Sequence, residues 1–179
     1  MKINKKKFIY LISTNKNKSS FFKELDEVIK SKKVSIFQLR LKNGSFEKKI
    51  FIGKKIKKIC KKYKTKFLIN DDVLLAKYLS SDGCHLGQKD MEILNARKIL
   101  KNKIIGITCH NSLVLAKSAM KKKADYLAFG AFYTSKTKKT KFRANINLLK
   151  KIKKITKTPI VAIGGINSDN YKKLLLNNA

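Results

Sequence analysis

The chain has 179 residues, 43% of them hydrophobic, and carries 44 Lys plus Arg against 11 Asp plus Glu, a formal charge of +33. One sizeable core and a single domain are expected from that length; no apolar run is long enough to span a membrane, and Cys60, Cys84 and Cys109, widely spaced with no C-x-x-C pair, exclude a disulfide framework or thiolate zinc site and read as buried, reduced thiols. The excess of lysine raises nucleic acid as a partner, but the lysines run along almost the whole chain, arginine is confined to Arg40, Arg97 and Arg143, and no RNA-binding motif is present. Solvated helix faces, with a field that draws anionic substrates, are the expected meaning of the charge.

In chain order, "MKINKKKFIYLISTNKNK" imitates a signal peptide in its lysines, but its apolar stretch, 8–12, is short and turns polar at once, so a cytoplasmic location is expected. Strands are predicted at "FIYLIST", "VSIFQLR", "KFLIN", "GCHLG", "IIGITC", "YLAFG" and "PIVAIGG". Between them, apolar residues at helical spacing predict helices over 21–30, 46–63, 73–79, 91–100, 112–122 and 147–154. Strand–helix alternation implies parallel βα units, and the continuous apolar character of most strands suits a sheet buried on both faces. An open sheet concentrates ligand groups at one switch point, whereas a barrel gathers every strand end at one mouth. Polar groups stand at or just past successive strand ends: Gln38, Arg40 and Lys42, then Asn70 and Asp71, then His85, Gln88 and Asp90, then Thr108, then 135–138, then Gly164 and Gly165. The expected fold is therefore α/β, a (β/α)8 TIM-type barrel.

Two adjacent aspartates in "LINDD" need explaining in so basic a chain. Taken alone, Asn and Asp before a helix read as N-caps; Asp72 suits that, leaving Asp71 for the mouth. Asp90 follows the neighbouring strand, so Asp71 and Asp90 together make a pair for a hard cation such as Mg2+, which takes a few carboxylate oxygens plus water and substrate phosphate. "FQLRLKN" places Gln38, Arg40 and Lys42 at period two, a row on one face of an extended segment suited to phosphate, or else a solvated strand end. "GAFYTSKTKKTKF" offers Thr134, Ser135, Thr137 and Thr140 around Lys138, either a phosphate cradle or a lysine-rich loop. In "AIGGINSDN", Gly164 and Gly165 allow close backbone approach, and Asn167 or Ser168 is expected to start the next helix. His85 and His110 lack ligand or nucleophile partners in the sequence and read as supporting groups; neither forms a dyad with its neighbour Cys84 or Cys109, because adjacent strand residues face opposite sides.

The set "FQLRLK", "LINDD", "GCHLGQKD", "IIGITCHN", "DYLAFGAFYTSKTKK" and "PIVAIGGIN", in this order and spacing, resembles the thiamine phosphate synthase family from about Phe8 to the C-terminus. The resemblance implies a barrel that joins hydroxymethylpyrimidine diphosphate to a thiazole phosphate, releasing pyrophosphate, with Mg2+ as cofactor and small phosphorylated molecules rather than nucleic acid or membrane as partners. Carried over by motif, the segment Gln38, Leu39, Arg40, Leu41 and Lys42, together with Asn70, would bind the pyrimidine diphosphate. Asp71 and Asp90 would hold the metal, and Thr108 stands where the family usually has serine. Ser135, Lys136, Thr137 and the amide of Gly165 would bind the thiazole phosphate, and Lys138 the diphosphate; Arg40, Lys42 and Lys138 would then assist the chemistry. Two departures are visible: Ser135 and Lys136 replace the family's more usual threonine and small hydroxyl residue, and the sequence stops at "LLLNNA", where the family continues into an eighth βα unit, which is therefore expected to be missing. A truncated inactive relative and a thiazole tautomerase-like barrel are the alternatives, the latter disfavoured by the Asp71 and Asp90 pair, and a basic RNA-binding protein stands behind both.

Overall fold

The computed structural model describes residues 8–13, 20–134 and 141–177. Strands and helices alternate throughout: β1 (Ile9–Ile12), α1 (Phe21–Lys30), β2 (Val34–Leu39), α2 (Phe46–Lys62), β3 (Lys66–Asn70), α3 (Val73–Tyr78), β4 (Gly83–Leu86), α4 (Ile93–Leu100), β5 (Ile104–His110), α5 (Leu113–Lys121), β6 (Tyr126–Gly130), α6 (Ile146–Ile155), β7 (Ile160–Ile163) and α7 (Tyr171–Leu176). All seven predicted strands are present, β3 and β6 with the predicted bounds, β5 one residue longer and the other four shorter, and the predicted helices move by at most two residues. The caps set those limits. Ser45, Asp72, Ser112 and Asn145 each stand in extended backbone and accept a hydrogen bond from the amide three residues on, satisfying a donor that the first helical turn leaves orphaned. The last helix departs from expectation. It starts after Asn170 rather than at Asn167 or Ser168, because the Asn167 side-chain oxygen accepts from the amides of Asp169 and Asn170 at 3.0 and 3.2 Å and holds a turn there instead.

The described chain divides into two compact units. The first comprises Phe8–Leu86 and Asp90–Ile104. In it β1 to β4 pair in parallel in chain order, with Ile12 opposite Gln38, Gln38 opposite Leu68, and Asn70 opposite His85. Helix α1 packs on α2, and α3 on α4. Phe37, Ile56, Phe67, Leu68 and Ile69 are buried, as a sheet covered on both faces requires. Asp82 ties the strand bottoms together: its carboxylate accepts from the Phe67 amide at 2.9 Å and from Lys66 Nζ at 3.0 Å.

The second unit contains Gly87–Lys89 and the described part of Ile105–Ala179. Here β5, β6 and β7 pair in parallel, with Thr108 opposite Ala128 and Phe129 opposite Ala162. Asp125 repeats the device of Asp82, accepting from the Ile105 amide at 2.7 Å. Gly106 is required by packing, since a Cβ there would lie 1.8 Å from the Tyr126 ring. Among the described residues no helix is long and apolar enough to cross a membrane.

Candidate active site

Gln38 is an amide in the interior of β2, only 2% exposed, and a buried amide must be paired to avoid a desolvation cost. The Tyr10 hydroxyl donates to its Oε1 at 2.6 Å, and its Nε2 donates to Asn70 Oδ1. Asn70 ends β3, and the chain then turns within three residues. The Asp72 amide donates to the Asn70 carbonyl at 2.8 Å, and Asp71, between them, has φ +64. This is the rare, strained sense of a γ-turn, in a region that non-glycine residues seldom visit apart from Asn and Asp. The Asp71 amide is held in turn by the His85 carbonyl at 2.7 Å. The two aspartates thus divide: the Asp72 carboxylate caps α3 through the Leu75 amide at 2.9 Å, while the Asp71 carboxyl is raised by the influence of Asp90 and lowered by that of the Asn70 side chain.

Surrounding protein partly desolvates the Asp71 carboxyl, and the hydrogen bond and like charge of Asp90 add to this; together they raise it from 3.8 to about 6, against the opposing Asn70 hydrogen bond and Arg40 charge. The residue nevertheless keeps surface open to water, so a ligand can reach it. A carboxyl raised by the like charge of a second one makes with it an oxygen-only donor pair, of the kind Mg2+ takes together with phosphate oxygens and water. Among the described residues no group of three or more His, Cys, Asp or Glu assembles. A cation held by this pair would need further ligands beyond these two carboxyls. The three thiols are buried and free. Burial pushes Cys60 and Cys109 up to about 12 and raises Cys84 as well, with the Asp71, Asp72 and Asp90 charges adding to the latter. None is a thiolate nucleophile at neutral pH.

The titration has a checkable sign. With its carboxyl raised above 3.8 to about 6, Asp71 favours the metal-free fold fully below the ordinary carboxylate range, and that contribution is lost as pH rises through about 6. A cation that binds the pair must displace the proton, so magnesium affinity is expected to climb with pH up to about 6 and level off above it, releasing protons on the rising limb. Calorimetry in buffers of different ionisation enthalpy checks both the slope and the proton release.

The predicted cation row is only partly a strand. Strand β2 ends at Leu39, so period two places Gln38 inward but no longer governs Arg40, which is half-buried, or Lys42, which is exposed. Arg40 is instead anchored through its backbone: its amide donates to Ser13 Oγ at 2.8 Å, and the Ser13 hydroxyl returns a longer bond, at 3.4 Å, to the Arg40 carbonyl. The guanidinium charge is felt by Asp71. A cleft of about 310 Å³ has Leu39, Leu41, Lys42, Asn70 and Asp71 among its lining residues. Gln38, Arg40 and Asp90 do not line it.

In the second unit, Thr108 lies half-buried on β5 and its carbonyl accepts from Gln88 Nε2. Gly164 and Gly165 follow β7 at φ +95 and +67. A Cβ on Gly165 would meet the Thr134 carbonyl oxygen at 2.3 Å, and one on Gly164 would meet Ala131 Cβ at 2.4 Å. Ser135, Lys136, Thr137 and Lys138 lie outside the described residues. Sequence reasoning missed Tyr10, Ser13 and Asn170, whose Nδ2 donates to the Gly165 carbonyl at 2.9 Å. A lone tyrosine inside the otherwise aliphatic run of β1 was the available signal for Tyr10.

Known proteins resemble this chain over most of its length. A thiamine-phosphate synthase from Pelagibacter ubique (strain HTCC1062) is 66% identical over 100% of this chain and 88% of its own. One from Nitrosomonas eutropha is 42% identical over 79% of this chain and 68% of its own. The solved thiamine phosphate pyrophosphorylase from Pyrococcus furiosus superposes with a TM-score of 0.85 at 32% identity, covering 96% of this chain and 82% of that one, which gives the chain a TIM-like α/β fold. The YdjI aldolase from Escherichia coli K12, at a TM-score of 0.67 and 12% identity over 96% of this chain and 72% of its own, shares the fold alone. The model of the family described as thiamine monophosphate synthase matches residues 9–179. The chain, with its Asp71 and Asp90 pair and its glycine turn after β7, belongs to the thiamine monophosphate synthase family.

Proposed function

We propose that the protein joins hydroxymethylpyrimidine diphosphate to a thiazole phosphate, giving thiamine phosphate and pyrophosphate. Family membership makes it an enzyme of thiamine biosynthesis and a transferase. The observation that carries the choice of substrates is the Asp71 and Asp90 carboxyl pair, set by a strained turn beside the charge of Arg40. Such strain persists where the surrounding structure over-determines it, and it concentrates at ligand sites.

In this reading Asp71 and Asp90 hold Mg2+, which when bound neutralises charge on the departing diphosphate. Arg40 and Lys42 donate charge-assisted hydrogen bonds to its oxygens. Gln38 and Asn70 orient the pyrimidine, with Leu39 and Leu41 forming part of the same binding segment and Thr108 contributing from β5. Ser135, Lys136, Thr137 and the Gly165 amide take the thiazole phosphate, and Lys138 joins the diphosphate contacts. The C–O bond to the diphosphate breaks with its electron pair leaving on pyrophosphate; the electron-rich aminopyrimidine carries the developing methylene cation, and the thiazole nitrogen supplies the pair for the new C–N bond. No protein nucleophile is consumed, in keeping with the protonated thiols. A cytoplasmic setting accords with three free, buried cysteines.

The direct test is to supply both substrates with magnesium and follow thiamine phosphate by chromatography; no product with either tautomer of the thiazole phosphate sinks the reading. A finer expectation concerns Arg40. Arg40→Ala should weaken pyrimidine diphosphate binding by about 1.5–3 kcal/mol, the range for a hydrogen bond to a charged group. Lys58→Ala, on the exposed face of α2, should change it little. Equal effects of the two substitutions in the same titration would refute the role of Arg40.

A further inference from the structure

The hydrogen bonds around Gln38 run in one direction. The Tyr10 hydroxyl donates to Gln38 Oε1 at 2.6 Å, Gln38 Nε2 donates to Asn70 Oδ1, and the Asn70 side chain favours the ionised form of the neighbouring Asp71 carboxyl. An amide has one acceptor end and one donor end. Because Asn70 Oδ1 is turned to Gln38, its Nδ2 is the end available to the carboxylate. The direction of the whole series is thus decided at its start, by a hydroxyl that donates. All four side chains belong to the same compact unit, and Gln38 is buried, so water does not substitute freely for a lost partner.

We propose that Tyr10 is a positioning residue, whose hydroxyl fixes the orientation of the Gln38 and Asn70 amides and thereby aims the Asp71 carboxylate for a magnesium diphosphate. The inference rests on the function proposed above and extends it to a residue that touches neither the metal nor the reacting atoms. Without the hydroxyl, Gln38 Oε1 loses its donor and nothing prevents the amide from reversing. Reversal turns the acceptor Oε1 toward Asn70, which answers by turning its Nδ2 to Gln38 and presenting Oδ1 to Asp71. A carbonyl oxygen against a carboxylate is repulsive, and the carboxylate is displaced from its aim.

Tyr10→Phe keeps the ring in β1 and deletes only the hydroxyl, and Tyr63→Phe, which deletes a hydroxyl bonded to Asp26 at 2.9 Å elsewhere in the same unit, serves as the control. Binding is read by calorimetry with magnesium and inorganic pyrophosphate, and the side-chain amide resonances of Gln38 and Asn70 are read by NMR without metal. Tyr10→Phe is expected to shift both amide resonances and weaken magnesium pyrophosphate about tenfold, the scale of outer-shell effects on metal sites. Its melting temperature should stay near that of the unaltered chain, and Tyr63→Phe should change neither readout. Unaltered affinity in Tyr10→Phe, or unmoved amide resonances, overturns the inference while leaving the proposed function standing. Failure of the unaltered chain to bind magnesium pyrophosphate overturns the metal assignment and this inference with it.

Discussion

Asp71→Asn and Asp90→Asn are each expected to lower magnesium-dependent formation of thiamine phosphate by about 10²- to 10³-fold, the loss typical of removing one group that stabilises developing charge. The substitution suits the backbone. Asp71 sits at φ +64, and asparagine tolerates the left-handed region better than other residues with a side chain. Loss of activity would therefore reflect the missing charge and not a broken turn. Asp71→Asn should also leave the metal-free protein as stable as before, or more so above pH 6, because a neutral amide escapes the desolvation and like-charge pressure that raise the Asp71 carboxyl to about 6. Steady-state kinetics over a magnesium series, together with thermal melts in chelator, separates the two effects. Full activity in either variant would remove that carboxylate from the metal site.

Gly165→Ala is the second large effect, and it acts through geometry. Its added Cβ would stand 2.3 Å from the Thr134 carbonyl oxygen and 2.7 Å from the Tyr133 carbonyl, on a residue with φ +67. Both contacts are backbone, so no side chain can swing away. The unfavourable φ adds about 1–3 kcal/mol, and the turn after β7 must move relative to the segment after β6. Because the Gly165 amide is proposed to meet the thiazole phosphate, KM for that substrate should rise at least tenfold, with pyrimidine diphosphate affinity little changed. Separate titrations of the two substrates decide it; equal losses for both would mean the substitution acts only by lowering stability.

The α/β alternation was legible in the sequence because period-two and period-3.6 patterns report local geometry, and the caps at Ser45, Asp72, Ser112 and Asn145 stand immediately before four of the helices. Asp72 illustrates the reach of that reading: as the N-cap of α3 it behaves as its position before an apolar run implies. The pairing of Asp71 with Asp90 was foreseen from strand order, since both follow neighbouring strands. Where local pattern was extended too far it failed. Alternation across Gln38, Arg40 and Lys42 stops when β2 ends at Leu39, and the helix after the second glycine waits for Asn170 because Asn167 closes a turn on the intervening amides.

Composition, strand count and most helix starts were determined by the sequence itself, because each depends on residues close in the chain or on the order of strands. The left-handed turn at Asp71, its raised carboxyl, the Ser13 anchor on Arg40 and the donor series from Tyr10 through Gln38 and Asn70 were decided only in the tertiary structure. Ser13 is 27 residues from Arg40, Tyr10 is 28 from Gln38, and Gln38 is 32 from Asn70. Over such separations no periodicity says which groups meet. The meeting, the direction of each donor and the desolvation that shifts a carboxyl arise only when parallel strands bring distant polar groups into register in a buried layer.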